Sequence, residues 1–282
     1  MKHLIYLPVF FLLACGNHEV AKAGEDAMPS KEKELLQAVK QFPDSALMVE
    51  NLVQYYRENG NYSQALGSIN TALSIDSANA RFWDIKATLH FEEADTMAAI
   101  KAFENSVNLY PQPDVIISLG VLYAQTRNAL ALAMADALLI ANKAEAQKEA
   151  YFIKGLYHSN TGDKTLAISF FDKCIQLNYS FMEAYREKGI ALYDQGKYKE
   201  ALAVLDKAVT LQNGFDEGYY YKGRCFEKLN KIPEAIEMYE RALMYDKDYV
   251  EAKEALGRLK NPLTPLAPKY FGVEGNKKTI DF

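Results

Sequence analysis

Cysteine is scarce in this chain. Three occur in 282 residues, Cys15, Cys174 and Cys225, and no short spacing links them. That excludes a disulfide framework and a zinc knuckle. The four histidines, His3, His18, His90 and His158, form no HExxH or comparable ligand pair, so no metal site is expected. No Gly-x-Ser-x-Gly turn, phosphate loop, Gly-rich dinucleotide loop or paired-carboxylate arrangement stands out, so the expectation is a protein that is not an enzyme and takes no cofactor. Excess positive charge is missing too. The net charge is −5, and lysine and glutamate alternate along the chain as on solvated helix faces. A nucleic-acid binder would show a concentrated basic face. What the chain has in plenty is tyrosine, 19 against a single tryptophan.

Apolar runs are short. Lys2 and His3 precede an apolar segment from Leu4 to Leu13, interrupted by Pro8. A bilayer-spanning helix needs about 20 apolar residues, so this segment fits a secretory signal core instead. Leu12-Leu13-Ala14-Cys15 then resembles the bacterial lipobox, in which a small residue precedes an obligatory cysteine. The resemblance implies cleavage after residue 14 and acylation of Cys15 by diacylglycerol and an amide-linked chain such as palmitate. Several chains on one residue anchor firmly where one chain binds only marginally. Gly16 stands where enteric inner-membrane lipoproteins carry aspartate, which implies an outer-membrane destination. Residues 15–29 lack apolar periodicity and read as a flexible tether.

Beyond the tether the chain repeats. Gly155, Gly189 and Gly223 stand 34 residues apart. The same period brings Ala65, Ala99, Ala133, Ala167, Ala201 and Ala235 into one column. Four residues on lie Ile69, Phe103, Ala137, Phe171, Leu205 and Tyr239, and three further Ala72, Ser106, Ile140, Cys174, Ala208 and Ala242. Apolar positions spaced i, i+3/i+4, i+7 describe two amphipathic helices per unit, and Gly60, Gly162 and Gly196 sit between them as helix C′ residues.

A 34-residue unit with an aromatic, a small residue four on, and then Ala-x3-Phe-x2-Ala resembles the tetratricopeptide repeat. YREKGIALYDQGKYKEALAVLDKAVTL, from Tyr185, is close to a consensus unit. The resemblance implies an all-α fold, a right-handed superhelical solenoid of helix-turn-helix repeats. Six repeats are expected over 46–249 (46–79, 80–113, 114–147, 148–181, 182–215 and 216–249). Residues 30–45 read as a capping half-repeat, 250–260 as a capping helix and 261–282 as a Pro-rich tail.

The third unit departs most. Gly120 and Tyr123 fall one residue early, so its interhelix turn is expected to hold an extra residue. Its second helix, ALALAMADALLIA, carries Leu138-Leu139 where the other units carry polar pairs such as Asp206-Lys207. Two readings stand side by side: Leu138 and Leu139 form an exposed apolar patch for a partner, or a local register shift turns them inward. Cys174 and Cys225 are expected to be packed, and His90 and His158 to be structural.

The family resemblance places the inner groove on first-helix positions 2, 5, 9 and 12, counted from Ala46, Ala80 and their equivalents. Those positions include Arg81, Phe91, Phe152, Leu156, Arg186, Tyr193, Tyr220 and Arg224. Chaperone-binding relatives clamp a terminal carboxylate with lysine at position 5 and asparagine at position 9. Glu50, Asp84 and Phe152 with Gln54, Thr88 and Leu156 leave this chain without that clamp. Its aromatic and arginine side chains suit an extended peptide with apolar and acidic points. Equally, they suit ordinary packing and solvation. The expectation is a lipid-anchored scaffold or adaptor of the bacterial cell envelope that binds protein or peptide partners. The alternative is a nutrient- or glycan-binding lipoprotein on the same core, with Tyr219-Tyr220-Tyr221 as the aromatic cluster to examine.

Overall fold

The computed structural model describes residues 30–43, 45–140 and 146–260. The expected signal peptide, the tether with Cys15 and the tail after residue 260 lie outside the described residues. All regular elements described, apart from a 3-10 residue at Ala146, are α-helices. They are α1 (Ser30–Gln41), α2 (Ala46–Glu58), α3 (Tyr62–Ile75), α4 (Ala80–Glu92), α5 (Thr96–Leu109), α6 (Pro113–Gln125), α7 (Leu130–Ile140), α8 (Gln147–Thr161) and α9 (Lys164–Leu177), then α10 (Met182–Asp194), α11 (Tyr198–Leu211), α12 (Asp216–Lys228), α13 (Ile232–Tyr245) and α14 (Val250–Lys260). The chain divides after Asn178 into two compact units. The first holds α1 to α9 and the second α10 to α14. Both are built of helical hairpins, so the fold is an all-α helical repeat.

The hairpins form because each first helix ends in one left-handed residue: Gly60, Ala94, Arg127, Gly162, Gly196 and Asn230, with φ between 57° and 102°. At the end of α2 the Asn61 N–H donates to the Tyr56 carbonyl (2.8 Å) and the Gly60 N–H to that of Arg57 (3.0 Å). This pair of bonds satisfies carbonyls that the helix leaves open and reverses the chain. It recurs after α4, α6, α10 and α12. Aspartates then cap two of the returning helices: Asp95 accepts from Ala98 N–H (3.1 Å) and Asp163 from Leu166 N–H (3.0 Å).

Both helices of each hairpin supply the core, and the second helices contribute its most regular columns. In the first unit Ala65, Ile69, Ala99, Phe103, Ala167, Phe171 and Cys174 are buried, and in the second Ala201, Leu205, Ala208, Ala235, Tyr239 and Ala242. The periodic glycines face the large members of that set. A Cβ on Gly155 would stand 2.5 Å from the Phe171 ring, and one on Gly223 2.6 Å from the Tyr239 ring. The glycines are there because an aromatic ring occupies the space a methyl would need. In α1, Leu35 is buried, and the Tyr56 hydroxyl donates to Glu32 (2.8 Å) to tie that helix to α2.

The third hairpin corrects the sequence alignment. Ala65 follows its left-handed residue Gly60 by five positions, as Ala99 follows Ala94, whereas the buried Ala131 follows Arg127 by four. The expected extra residue is therefore not there to restore register. The Ala131 N–H instead bonds the Asn128 carbonyl three residues back (3.1 Å), a tighter entry into α7. The helix stays two residues out of phase: Ala131, Ala135 and Leu138 fill the places assigned to Ala133, Ala137 and Ile140. Residues 141–146 then separate α7 from α8, against 76–79 between α3 and α4, which returns the chain to phase.

That slip overturns the exposed-patch reading of Leu138 and Leu139. Leu138 is 2 % exposed, and Leu139 packs against the same core cluster. Ile140, assigned inward, is 83 % exposed.

Candidate functional site

First helices carry the expected groove residues, and the structure sorts them sharply. In the first unit, Leu156 is 7 % exposed and belongs to the core, a correction to its expected place in the groove. The reason is that α6 and α8 pack directly on each other. Asn160 on α8 donates to the Ala124 carbonyl of α6 (3.2 Å), and Val121 is buried in the same cluster. Phe152 tilts onto Phe171 with centroids 5.9 Å apart, and Phe91 packs against the same core. Arg81 is exposed, and its guanidinium pairs with Glu50 (3.0 Å) and Asp84 (3.4 Å).

In the second unit Arg186 is 8 % exposed, a second correction, since a sealed side chain does not line an open groove. It donates to Glu217 on α12 (2.6 Å) and to Glu187 (3.1 Å). Both carboxylates hold its guanidinium charged against the cost of burial. Arg186 is thus a strut between α10 and α12.

Arg224 is different. Its guanidinium carbon lies 4.6 Å over the centre of the Tyr193 ring and 5.8 Å from that of Tyr221. Its one hydrogen bond is a long contact to the Tyr193 hydroxyl (3.4 Å), and it has no carboxylate partner among the described residues. The nearby acids are engaged elsewhere, Glu187 by Arg186 and Glu227 by Arg258 (2.7 Å) and the Tyr239 hydroxyl. Tyr220 packs edge-on to Tyr221 (5.1 Å) and lies 4.9 Å from Tyr249, centroid to centroid. The result is a partly exposed sheet of phenols around one cation that no carboxylate hydrogen-bonds among the described residues, although its charge helps lower the pKa of Glu227. Tyr219, which the sequence groups with Tyr220 and Tyr221, is buried, stacked on Tyr245 and bonded to Asn213 (3.0 Å). Tyr249 could not be foreseen: it stands in the connection before α14, and only the packing of α14 on α13 brings it to Tyr220.

Among the described residues the histidines and cysteines are packed against their neighbours. His158 stacks on Phe170 at 5.6 Å and 14°, and His90 is half-buried on α4. Cys174 and Cys225 are fully buried, and burial pushes both thiols up to about 12. The thiolate is the reactive form, so both are inert at neutral pH. A chain carrying Cys15→Ser is expected to give no colour with the thiol reagent DTNB until it is unfolded. The native state holds these protons where the unfolded chain, with a thiol near about 8.5, would lose them. Stability therefore falls as pH climbs from there toward about 12, readable as a declining urea midpoint. No group of three His, Cys, Asp or Glu suits a metal among the described residues, and no helix described is long and apolar enough to cross a membrane.

Comparison with known proteins agrees with this architecture. Two tetratricopeptide-repeat family models match, one over residues 148–181 and one over 192–259. No curated protein matches the chain. Among solved structures it is similar to a tetratricopeptide repeat protein from Parabacteroides merdae, at 22% identity and a TM-score of 0.69, covering 82% of this chain and 91% of that one. It is also similar to PilW, a type IV pilus biogenesis factor, at 19% identity and a TM-score of 0.61, over 77% of this chain and 97% of that one. A chain of the APC/C hetero-tetramer Cut9–Hcn1 matches at 18% identity and a TM-score of 0.58, over 82% of this chain but 46% of its own length. At these identities the likeness is one of fold.

Proposed function

We propose that the chain is a lipid-anchored tetratricopeptide-repeat scaffold of the bacterial cell envelope, bound to its outer membrane through Cys15. The fold supports a protein–protein interaction scaffold, because within each unit stacked hairpins present their first helices side by side. The observation that carries the reading is the partly exposed Tyr193–Arg224–Tyr221 stack on α10 and α12, an aromatic and arginine composition enriched at binding hot spots. Support for the anchor is the basic start, short apolar core and Leu-Leu-Ala-Cys run at the N-terminus.

Crosslinking in cells, followed by purification through a C-terminal tag, is expected to return one or more protein partners at the membrane. Cys15→Ser should lose radiolabelled palmitate and leave the membrane fraction. A variant that stays labelled and membrane-bound would overturn the anchor, and absence of any crosslinked protein would overturn the scaffold.

A further inference from the structure

Three arginines were expected on first-helix groove positions among the described residues, and two are neutralised, Arg81 by Glu50 and Arg186 by Glu217. Arg224 alone keeps its charge without a carboxylate, and that asymmetry has a donor surplus around it. The hydroxyls of Tyr220, Tyr221 and Tyr249 make no hydrogen bond among the described residues, and Tyr193 only receives the long contact from Arg224. Burial raises the pKa of Tyr220, Tyr221 and Tyr249, so all three keep their O–H across the physiological range. The half-buried guanidinium, ringed by phenols, is hydrogen-bonded by no carboxylate among the described residues, and its one acceptor there is the distant Tyr193 hydroxyl. None of these donor atoms is both fully buried and unpartnered, so a bound carboxylate would replace water at them and add a charge-assisted bond.

Resting on the scaffold reading above, we propose that Arg224, Tyr193, Tyr220, Tyr221 and Tyr249 form a clasp for the side-chain carboxylate of an aspartate or glutamate in an extended segment of a protein partner. Charge selects the ligand: one guanidinium and neutral phenols match a monoanion. The negative fields of Glu251 and Glu227 at Tyr220 and of Glu187 at Tyr221 oppose a phosphate dianion about twice as strongly as a carboxylate monoanion. Shape selects a mid-chain acid. Tyr193 and Tyr221 lie against the Arg224 guanidinium, and ring contacts continue from Tyr221 through Tyr220 to Tyr249, so residues beside the acid find a stacking surface. A terminal carboxylate has neighbours on one side only.

The test uses the full chain in detergent and an array of acetylated, amidated nonapeptides. Each has a central glutamate between aromatic or leucine residues, paired with a glutamine twin. Capture of the glutamate peptides is expected to exceed that of their twins by at least about tenfold, the scale of a hydrogen-bonded charge. Arg224→Gln should abolish the difference while leaving the circular dichroism spectrum and urea midpoint in place. Arg224→Lys should keep only part of it, since an ammonium lacks the planar fork that stacks on Tyr193. Tyr249→Phe should reduce it by removing one donor. Equal capture of the twins would overturn the clasp, as would no capture of any peptide. So would a requirement for a free C-terminus, or binding of oligogalacturonate in place of peptides. Because the glutamate–glutamine comparison is made on the unaltered protein, it stands even if an Arg224 variant misfolds. Failure here leaves the scaffold reading intact if crosslinking in cells still returns a partner, and the two readings fall separately.

Discussion

Phe171→Ala is expected to lower the unfolding free energy by about 3–5 kcal/mol, the usual cost of deleting a fully buried ring. Phe171 has no exposed surface and lies between Phe152 and the bare backbone of Gly155. The cavity cannot collapse easily, because Gly155 has no side chain to lean in and α8 is held on its other side by α6. The reciprocal change, Gly155→Ala, should cost about 1–3 kcal/mol by overpacking. Its Cβ would meet three ring carbons at 2.5 to 3.0 Å. The two effects share one volume, so they must not add. In the Phe171→Ala background the added methyl enters empty space and should cost little or restore stability, an interaction that a double-mutant cycle measures directly. Urea unfolding of the four chains followed by circular dichroism is the measurement. Simple additivity would mean that the glycine column is set by something other than the ring.

Arg186→Ala is expected to cost about 2–4 kcal/mol. Removing one partner of a buried ion pair is worth about 3–5 kcal/mol, and Glu217, with a third of its side chain exposed, recovers part by hydration. The penalty comes from the carboxylates left behind. Arg186→Met combined with Glu187→Gln and Glu217→Gln should therefore recover most of the loss, although it removes more charge. A triple variant as unstable as the single one would show that the guanidinium contributes packing instead. The contrast with Arg224 is sharp: its substitution should leave the urea midpoint nearly unchanged.

The helices and their turns were legible because a 34-residue period, small residues and turn residues all mark the same places. Gly60, Gly162 and Gly196 announce left-handed turns. Ala94 and Arg127 adopt the same conformation without announcing it, since the helix-ending bonds on either side enforce it, and Asn230 is of a type that tolerates it. The phase of α7 was not legible. Its sequence has alanine at 129, 131, 133, 135 and 137, so a column of small residues fits at either of two phases and cannot report which one packs. The groove residues were placed by family position, and position does not determine charge pairing. Arg186 and Arg224 look alike in sequence. What separates them is whether Glu217 and Glu187 lie in reach, and that depends on how α10 and α12 pack.

The out-of-phase α7 resembles a stacking fault in a layered crystal. The displacement builds in two single-residue steps, a connection of three residues (110–112) before α6 against four (76–79) before α4 and a turn into α7 one residue shorter, and the connection before α8, two residues longer, cancels both. It follows that sequence period and spatial period are separable quantities in this chain. Single-residue deletions ahead of a first helix and ahead of its second can be healed together by two residues inserted after the second, with the helices beyond that hairpin in phase.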